Sequence, residues 1–199
     1  MKKYKNILYL VDNNIYLYNS KYKDIINENI SKKIIKYGKI INIKLFIEEM
    51  KEIIKKYNLN TNIFGDTIHI ITNLEYNLVD KDIIINIFSH LNYRKVYLIS
   101  EFKILNLNNT NAYLNYNKDY AFLYYINYFQ KKEGYFIPLK LVDIDDLKKI
   151  IAKKIEKRDL FVFGTNHLID EFCNDYEKKY NRCYHYLSDE KFLIELLLK

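Results

Sequence analysis

The sequence has little glycine, proline, tryptophan or cysteine: four, one, none and two residues in a chain of 199. The cysteines, Cys173 and Cys183, are ten residues apart and form no Cys-x-x-Cys pair. This spacing excludes a disulfide-rich secreted scaffold and matches no zinc finger. We therefore expect two free thiols in a reducing compartment.

Long apolar runs are also missing from the sequence. None approaches the roughly 20 residues needed to cross a bilayer. The N-terminus is basic, but the apolar stretch at residues 7–11 is shorter than a signal-peptide core and lacks a small-residue cleavage site. We expect a cytoplasmic protein with no transmembrane segment.

The net charge of +7 is the feature that favours a nucleic-acid partner. However, residues 1–105 carry 17 basic and 11 acidic groups and residues 106–199 carry 15 and 14, with no block of five like charges. The chain is rich in Ile, Lys, Asn and Tyr, which an AT-rich genome favours, so much of the lysine has a compositional explanation. A basic nucleic-acid-binding or ribosome-associated protein is therefore the alternative interpretation.

The first half is predicted to be a hairpin followed by alternating strands and helices. β-rich runs at 5–11 and 15–19 flank Asp12-Asn13-Asn14 and predict the hairpin. Residues 20–38 are polar and give no clear pattern. Apolar spacing then predicts strand 39–43, helix 44–57, strand 67–72, helix 79–91, strand 95–99 and a shrunken helix near 102–106.

The second half repeats this order. Residues 111–116 and 119–128 predict a hairpin around Asn117-Lys118, and Asp143 is predicted to cap a helix. The remaining elements are strand 135–137, helix 144–157, strand 160–163, helix 167–180, strand 183–186 and helix 188–199. The predicted fold class is therefore α/β, with two tandem ribonuclease-H-like halves at residues 1–106 and 107–199.

Two segments resemble bacterial actin-like proteins of the MreB, FtsA and PilM type. Tyr93-Arg94-Lys95-Val96-Tyr97-Leu98-Ile99 is similar to the segment that closes the family's first domain, and Glu101 lies close to its acidic position. The stretch 160–169, with Gly164 after an apolar run, is similar to the strand, glycine turn and helix near the family's C-terminus. The resemblance implies an actin-like fold whose outer subdomains are reduced, since the chain is shorter than typical members.

The sequence departs from this family at the three nucleotide loops. Actin-like proteins hold ATP phosphates on two glycine-bearing hairpins, because a residue without Cβ lets backbone N–H groups close on phosphate oxygens. Here the hairpins turn at Asp12-Asn13-Asn14 and at 115–119, whose Asn115 and Asn117 stand where glycines would be expected. The adenosine loop keeps only Gly164. We therefore expect vestigial loops, no cofactor, no bound metal and no ATPase activity.

Other chemistry-bearing residues give weaker alternatives. Asp12, Glu75 and Asp119 are the carboxylates that a ribonuclease-H-type nuclease would place on two metal ions. His167 and His185, with the two cysteines, are a candidate metal set. His69 is expected in a buried strand, where a core histidine is the simpler interpretation. Asp12 is more simply a turn former.

Two aromatic or apolar clusters also have two interpretations. Six tyrosines of the second hairpin are either a stacking platform for single-stranded bases or packed strand residues. They are Tyr113, Tyr116, Tyr120, Tyr124, Tyr125 and Tyr128. The apolar last helix is either a membrane-binding helix or, as we predict, the closing helix of the core.

The resemblance implies a non-catalytic scaffold or adaptor that works through protein contacts. Relatives of this kind serve cell shape, division or pilus assembly at the inner membrane face. The expected partners are therefore proteins, such as an actin-like or membrane-complex protein, and no small-molecule substrate is expected.

Overall fold

A computed structural model describes residues 4–21, 23–59, 66–72, 77–105, 107, 109–164, 166–185 and 191–198. The chain divides into two compact units, Met1–Glu101 with Leu197–Lys199, and Phe102–Leu196. The domain ranges 1–106 and 107–199 stay a prediction, because compactness alone does not test independent folding.

The first unit is built on a five-stranded sheet. Its elements are β1 (Asn6–Val11), β2 (Asn14–Asn19), β3 (Asp24–Asn29), β4 (Ile35–Lys36), β5 (Lys39–Ile40), α1 (Ile43–Lys56), β6 (Asp66–Thr72), α2 (Leu78–His90), β7 (Tyr93–Ser100) and α3 (Glu101–Ile104). The strand order is β3-β2-β1-β6-β7. Strands β1 to β3 are antiparallel neighbours, whereas β1, β6 and β7 run parallel.

The second unit has the same plan. Its elements are β8 (Asn111–Tyr116), β9 (Tyr120–Ile126), β10 (Lys132–Pro138), a 3-10 turn (Leu139–Leu141), α4 (Ile144–Ile155), β11 (Asp159–Phe163), α5 (Ile169–Lys179), β12 (Cys183–His185) and α6 (Phe192–Leu198). The strand order β10-β9-β8-β11-β12 repeats that of the first sheet, with the same antiparallel and parallel steps. The predicted α/β class with two similar halves is confirmed.

One predicted strand of the first half was wrong. The third strand of the sheet is β3, within the polar stretch that gave no clear pattern, and not residues 39–43. Strand β3 is an edge strand that pairs with β2, through the backbone ladder and an Asn29–Asn14 side-chain hydrogen bond, and each of its side chains is exposed or half-buried. It therefore lacks an apolar signature. Of the predicted segment, only Lys39–Ile40 is extended, in a two-stranded hairpin with β4.

Each unit has its own apolar core between its sheet and its helices. In the first unit, Phe46, Met50 and Ile53 of α1 are buried, which is the face that the helical spacing predicts. In the second unit, Leu147 and Ile151 of α4 are buried in the same way. None of the described helices is both long enough and apolar enough to cross a membrane.

Side-chain caps fix where several helices begin. The Asp146 amide donates to the Asp143 carboxylate at 2.7 Å, which confirms the predicted cap of α4. Asn77 and Asp80 form a reciprocal capping box at the start of α2.

Candidate functional site

The first candidate loop is a two-residue turn between β1 and β2. Val11 pairs with Asn14, so Asp12 and Asn13 alone make the turn. Asp12 has a φ of 53°, a conformation for which glycine is the most favourable residue and Asp or Asn the usual substitutes. The turn therefore forms without glycine.

Two neighbouring segments of the first unit cover this turn. The Ile30 amide donates to the Asn13 carbonyl at 2.7 Å, and the Gly38 amide donates to the Asp12 carbonyl at 3.1 Å. The Asn13 side chain donates in return to the Ile30 carbonyl at 2.8 Å. As a result Asp12 is only 8% exposed. Phosphate binding at such a turn uses backbone amides, whereas the bonds from Ile30 and Gly38 engage the turn's carbonyl oxygens and bring two further segments against it.

A buried acidic residue, Glu101, directly follows β7, which is separated from β1 in the sheet by β6. The Tyr9 hydroxyl donates to one carboxyl oxygen of Glu101 at 2.6 Å, and Glu101 is 1% exposed. Burial raises the pKa of Glu101 to about 8, although the Tyr9 hydrogen bond opposes this shift. The carboxyl is therefore mainly neutral at pH 7. A neutral carboxyl is a poor ligand for Mg²⁺, because metal ligands must be deprotonated.

The second candidate loop, between β8 and β9, is closed by its own hydrogen bonds. The Asn117 side chain is fully buried and donates to the Asn115 side-chain oxygen at 2.9 Å. The Asn117 backbone amide donates to the Tyr120 carbonyl at 2.9 Å. The Asn166 side chain donates to the Asn117 carbonyl at 3.2 Å. Both asparagines thus serve the turn itself.

Gly164, the third predicted loop residue, packs against the backbone of the second turn. A Cβ at Gly164 would lie 2.4 Å from the Tyr116 carbonyl oxygen and 2.8 Å from the carbonyl carbon, and the glycine φ is +133°. The Asn166 amide also donates to that carbonyl, at 3.1 Å. Close backbone packing therefore requires a glycine at this position, whether or not a ligand binds there.

The alternative metal sites are not assembled in the part of the chain that the structure describes. No group of three or more His, Cys, Asp or Glu side chains in that part is placed to hold an ion. Glu75 lies outside the described residues. His185 pairs with Asp170 at 2.5 Å, and Cys173 and Cys183 are free and buried. His69, in β6, stacks against Tyr97 with ring centroids 5.1 Å apart.

The tyrosine hairpin is packed strand rather than a stacking platform. Five of the six tyrosines are buried, with exposures from 0% to 6% for Tyr113, Tyr116, Tyr120, Tyr124 and Tyr125. Only Tyr128, at the hairpin tip, is exposed. The last helix likewise buries its first three residues, as predicted for a closing helix.

Sequence reasoning missed the contacts that close these loops. In the sequence, the glycine at position 38, directly after Tyr37, is a hairpin signal. In the structure both residues of this turn have positive φ. No local sequence pattern predicts that this hairpin contacts Asp12. The Tyr9–Glu101 pair joins residues 92 apart in the chain, so only the folded sheet brings it together.

Comparisons with known proteins identify the fold through structure alone. No known family profile matches the sequence. No curated protein matches it either. MreB5 of Spiroplasma citri bound to AMPPNP superposes with a TM-score of 0.65 at 10% identity, covering 100% of this chain and 96% of that one. A Bacteroides thetaiotaomicron protein with an actin-like ATPase fold and unknown function gives 0.64 at 12% identity, covering 99% and 96%.

A third similar structure is the cytoplasmic domain of EpsL, an inner membrane component of the type II secretion system of Vibrio cholerae. Its TM-score is 0.51 at 9% identity, covering 97% of this chain and 93% of that one. At such identities the likeness is one of fold. The chain therefore has the actin-like fold that the sequence resemblance implied.

Proposed function

We propose that this protein is a non-catalytic actin-like scaffold or adaptor that neither binds nor hydrolyses ATP. The observation that carries the proposal is that the candidate turns lack glycine and make hydrogen bonds within the chain. The Ile30 and Gly38 amides donate to carbonyls of the first turn, and the Asn117 amide of the second turn already donates to the Tyr120 carbonyl. A phosphate bound to the Asn117 amide would have to displace that bond.

The buried Glu101 supports the same proposal. It stands close to the acidic position of the family. Burial raises its pKa to about 8, so a charged carboxylate, the form that binds a metal ion, is disfavoured at pH 7. The loss of glycine, the covered turns and the neutral Glu101 carboxyl are three separate observations, and each favours a protein that does not bind nucleotide.

We further propose that the protein acts through protein contacts in an assembly at the inner membrane face, of the cell-shape, division or pilus type. EpsL and MreB5 share this fold and support the general scaffold role. Neither is close enough in sequence for its own assembly to be transferred. A pull-down from the native cell tests this part. Recovery of ribosomal proteins or RNA in place of such an assembly would favour the nucleic-acid alternative.

Thermal unfolding with and without MgATP tests the catalytic part. A ligand at about 100 times its dissociation constant stabilises a binding protein by about 2.7 kcal/mol. For a domain of about 100 residues this raises the melting temperature by about 10 °C or more. We expect no shift with MgATP, MgGTP or MgAMPPNP, and no phosphate release. A rise of several degrees would show that another part of the chain binds the phosphates.

A further inference from the structure

The turn between β9 and β10 exposes two adjacent aromatic side chains. Tyr128 is 89% exposed and Phe129 77%, which makes them the most exposed aromatic residues in the described part of the chain. Their rings touch edge to face, with centroids 5.8 Å apart. The aromatic side chains of β9 are buried and Tyr135 of β10 is 40% exposed, so this pair is much more exposed than the other aromatic side chains of the hairpin.

The turn that carries this pair is held rigidly by Asn127. The Asn127 amide donates to the Lys131 carbonyl at 2.8 Å, and the Gln130 amide donates to the Asn127 carbonyl at 3.0 Å. The Lys131 amide donates to the Asn127 side-chain oxygen at 2.9 Å. The aromatic pair is therefore presented in a fixed conformation before any partner arrives, which lowers the entropy lost on binding.

Two lysines lie close to the exposed pair in the chain. Lys131 and Lys132 come after Gln130 and are exposed, and the Lys132 ammonium donates to the Phe102 carbonyl at 3.4 Å. One carboxylate lies beside them: Glu133 of β10 accepts from the Tyr125 hydroxyl at 2.8 Å and from the Asn127 side-chain amide. These two hydrogen bonds, with the charges of Lys154 and Lys131, lower the pKa of Glu133.

The size of the exposed surface decides between a protein and a lipid partner. Two aromatic side chains bury about 150–250 Å² each. A stable protein interface needs about 800 Å² on each partner. The convex tip is too small for that. Aromatic rings beside lysines suit the headgroup region of a bilayer, where rings enter the interface and lysines contact lipid phosphates.

We propose that this hairpin tip, residues 128–132, docks on an anionic lipid bilayer. Tyr128 and Phe129 enter the headgroup region, and Lys131 and Lys132 contact the lipid phosphates. The biological setting of this contact rests on the proposed function at the inner membrane face. The contact itself does not depend on nucleotide, so its failure and the failure of the ATP prediction are separate results.

The lack of tryptophan in the chain allows a direct test. In the Phe129→Trp variant, we expect tryptophan emission to shift to shorter wavelength on addition of vesicles of phosphatidylcholine with phosphatidylglycerol. Vesicles of phosphatidylcholine alone should give a smaller shift. The matched control is Val79→Trp. Leu78 and Val79 are also an exposed apolar pair, 79% and 64% exposed, but Asp80 and Asp82 follow them. We expect no shift there.

Vesicle co-sedimentation provides the second measurement. We expect Tyr128→Ser with Phe129→Ser to lower the partition coefficient about tenfold or more. Replacing Lys131 or Lys132 by Gln should lower it about fivefold each, since a basic residue at an anionic surface contributes about 1 kcal/mol. Leu78→Ser with Val79→Ser should leave it unchanged. The proposal is overturned if the wild-type chain does not bind anionic vesicles, or if the tip variant binds them equally well.

Discussion

Replacing Gly164 by alanine is expected to destabilise the second unit strongly. The new Cβ would lie 2.4 Å from the Tyr116 carbonyl oxygen and 2.9 Å from the Tyr116 nitrogen. These are backbone atoms of β8, which pairs with both β9 and β11, so the clash is relieved only by moving the centre of the sheet. A φ of +133° adds backbone strain for any non-glycine residue at this position.

The expected magnitude follows from these two effects. A residue forced into a sparsely populated conformation costs about 1–3 kcal/mol. Overpacking in a close-packed region costs about 1–3 kcal/mol more. The sum, about 2–6 kcal/mol, is a large part of the 5–15 kcal/mol that typically stabilises a domain. In urea unfolding followed by circular dichroism, we expect a clearly lower midpoint with an unchanged slope.

The other described glycines supply graded controls. Gly38 has a φ of 71°, so Gly38→Ala should cost about 1–2 kcal/mol through backbone strain alone. Gly134 is exposed on β10 and has no positive φ, so Gly134→Ala should be neutral or slightly stabilising. If Gly164→Ala unfolds at the same urea concentration as the Gly134→Ala control, the close packing on Tyr116 is not real.

Three further predictions follow from the sites described above. Burial raises the pKa of Glu101 from 4.5 to about 8, so the folded state binds this proton more tightly than the unfolded state. The protonated carboxyl therefore contributes fully to stability below pH 4.5, and this contribution is lost as the pH rises toward 8. Glu101→Gln should therefore gain stability relative to the wild type by roughly 1.4 kcal/mol per pH unit within that window; a constant difference across the pH range would contradict the buried, neutral carboxyl. Asp143→Ala removes the cap of α4 and should cost about 1 kcal/mol in thermal or urea unfolding, whereas Asp143→Asn should retain most of it. Fluorescence anisotropy with DNA and RNA oligonucleotides should show weak, sequence-independent binding that is lost near physiological salt, where non-specific binders typically have dissociation constants of about 10⁻⁴ to 10⁻⁶ M; submicromolar binding at that salt would support the nucleic-acid alternative.

Sequence patterns predicted the elements whose signal is local. The two hairpins, the cap at Asp143 and the amphipathic faces of α1 and α4 depend on residues close together in the chain. The edge strand β3 escaped prediction because its side chains are half-exposed and its partner is supplied by β2. It is held by backbone pairing with β2 and by polar side-chain contacts such as Glu28 with Lys56, which leave no pattern of apolar residues.

The candidate site was predictable in position but not in environment. The sequence placed Asp12, Asn117 and Gly164 in turns, and the structure has them there. What covers these turns depends on residues far away: Gly38 on Asp12, Asn166 on Asn117, and the backbone of Tyr116 on Gly164. These contacts form only when the sheets form, so neither the periodicity of apolar residues nor the turn residues in the sequence can predict them.

The scarcity of glycine can itself be weighed as a functional signal. Seven non-glycine residues of this chain adopt positive φ, between 46° and 68°, among them Asp12 at the first turn. Positive φ in that range is therefore not a reason for this chain to use glycine. Gly164 differs, since its φ and its contact with Tyr116 leave no room for a Cβ. The chain thus uses little glycine overall but retains it where the backbone leaves no room for a Cβ. If the turns at 12–14 and 115–119 had to close around a phosphate, they would impose the same requirement as Gly164, and glycine should be present there. The absence of glycine at these turns therefore supports our proposal that they bind no phosphate.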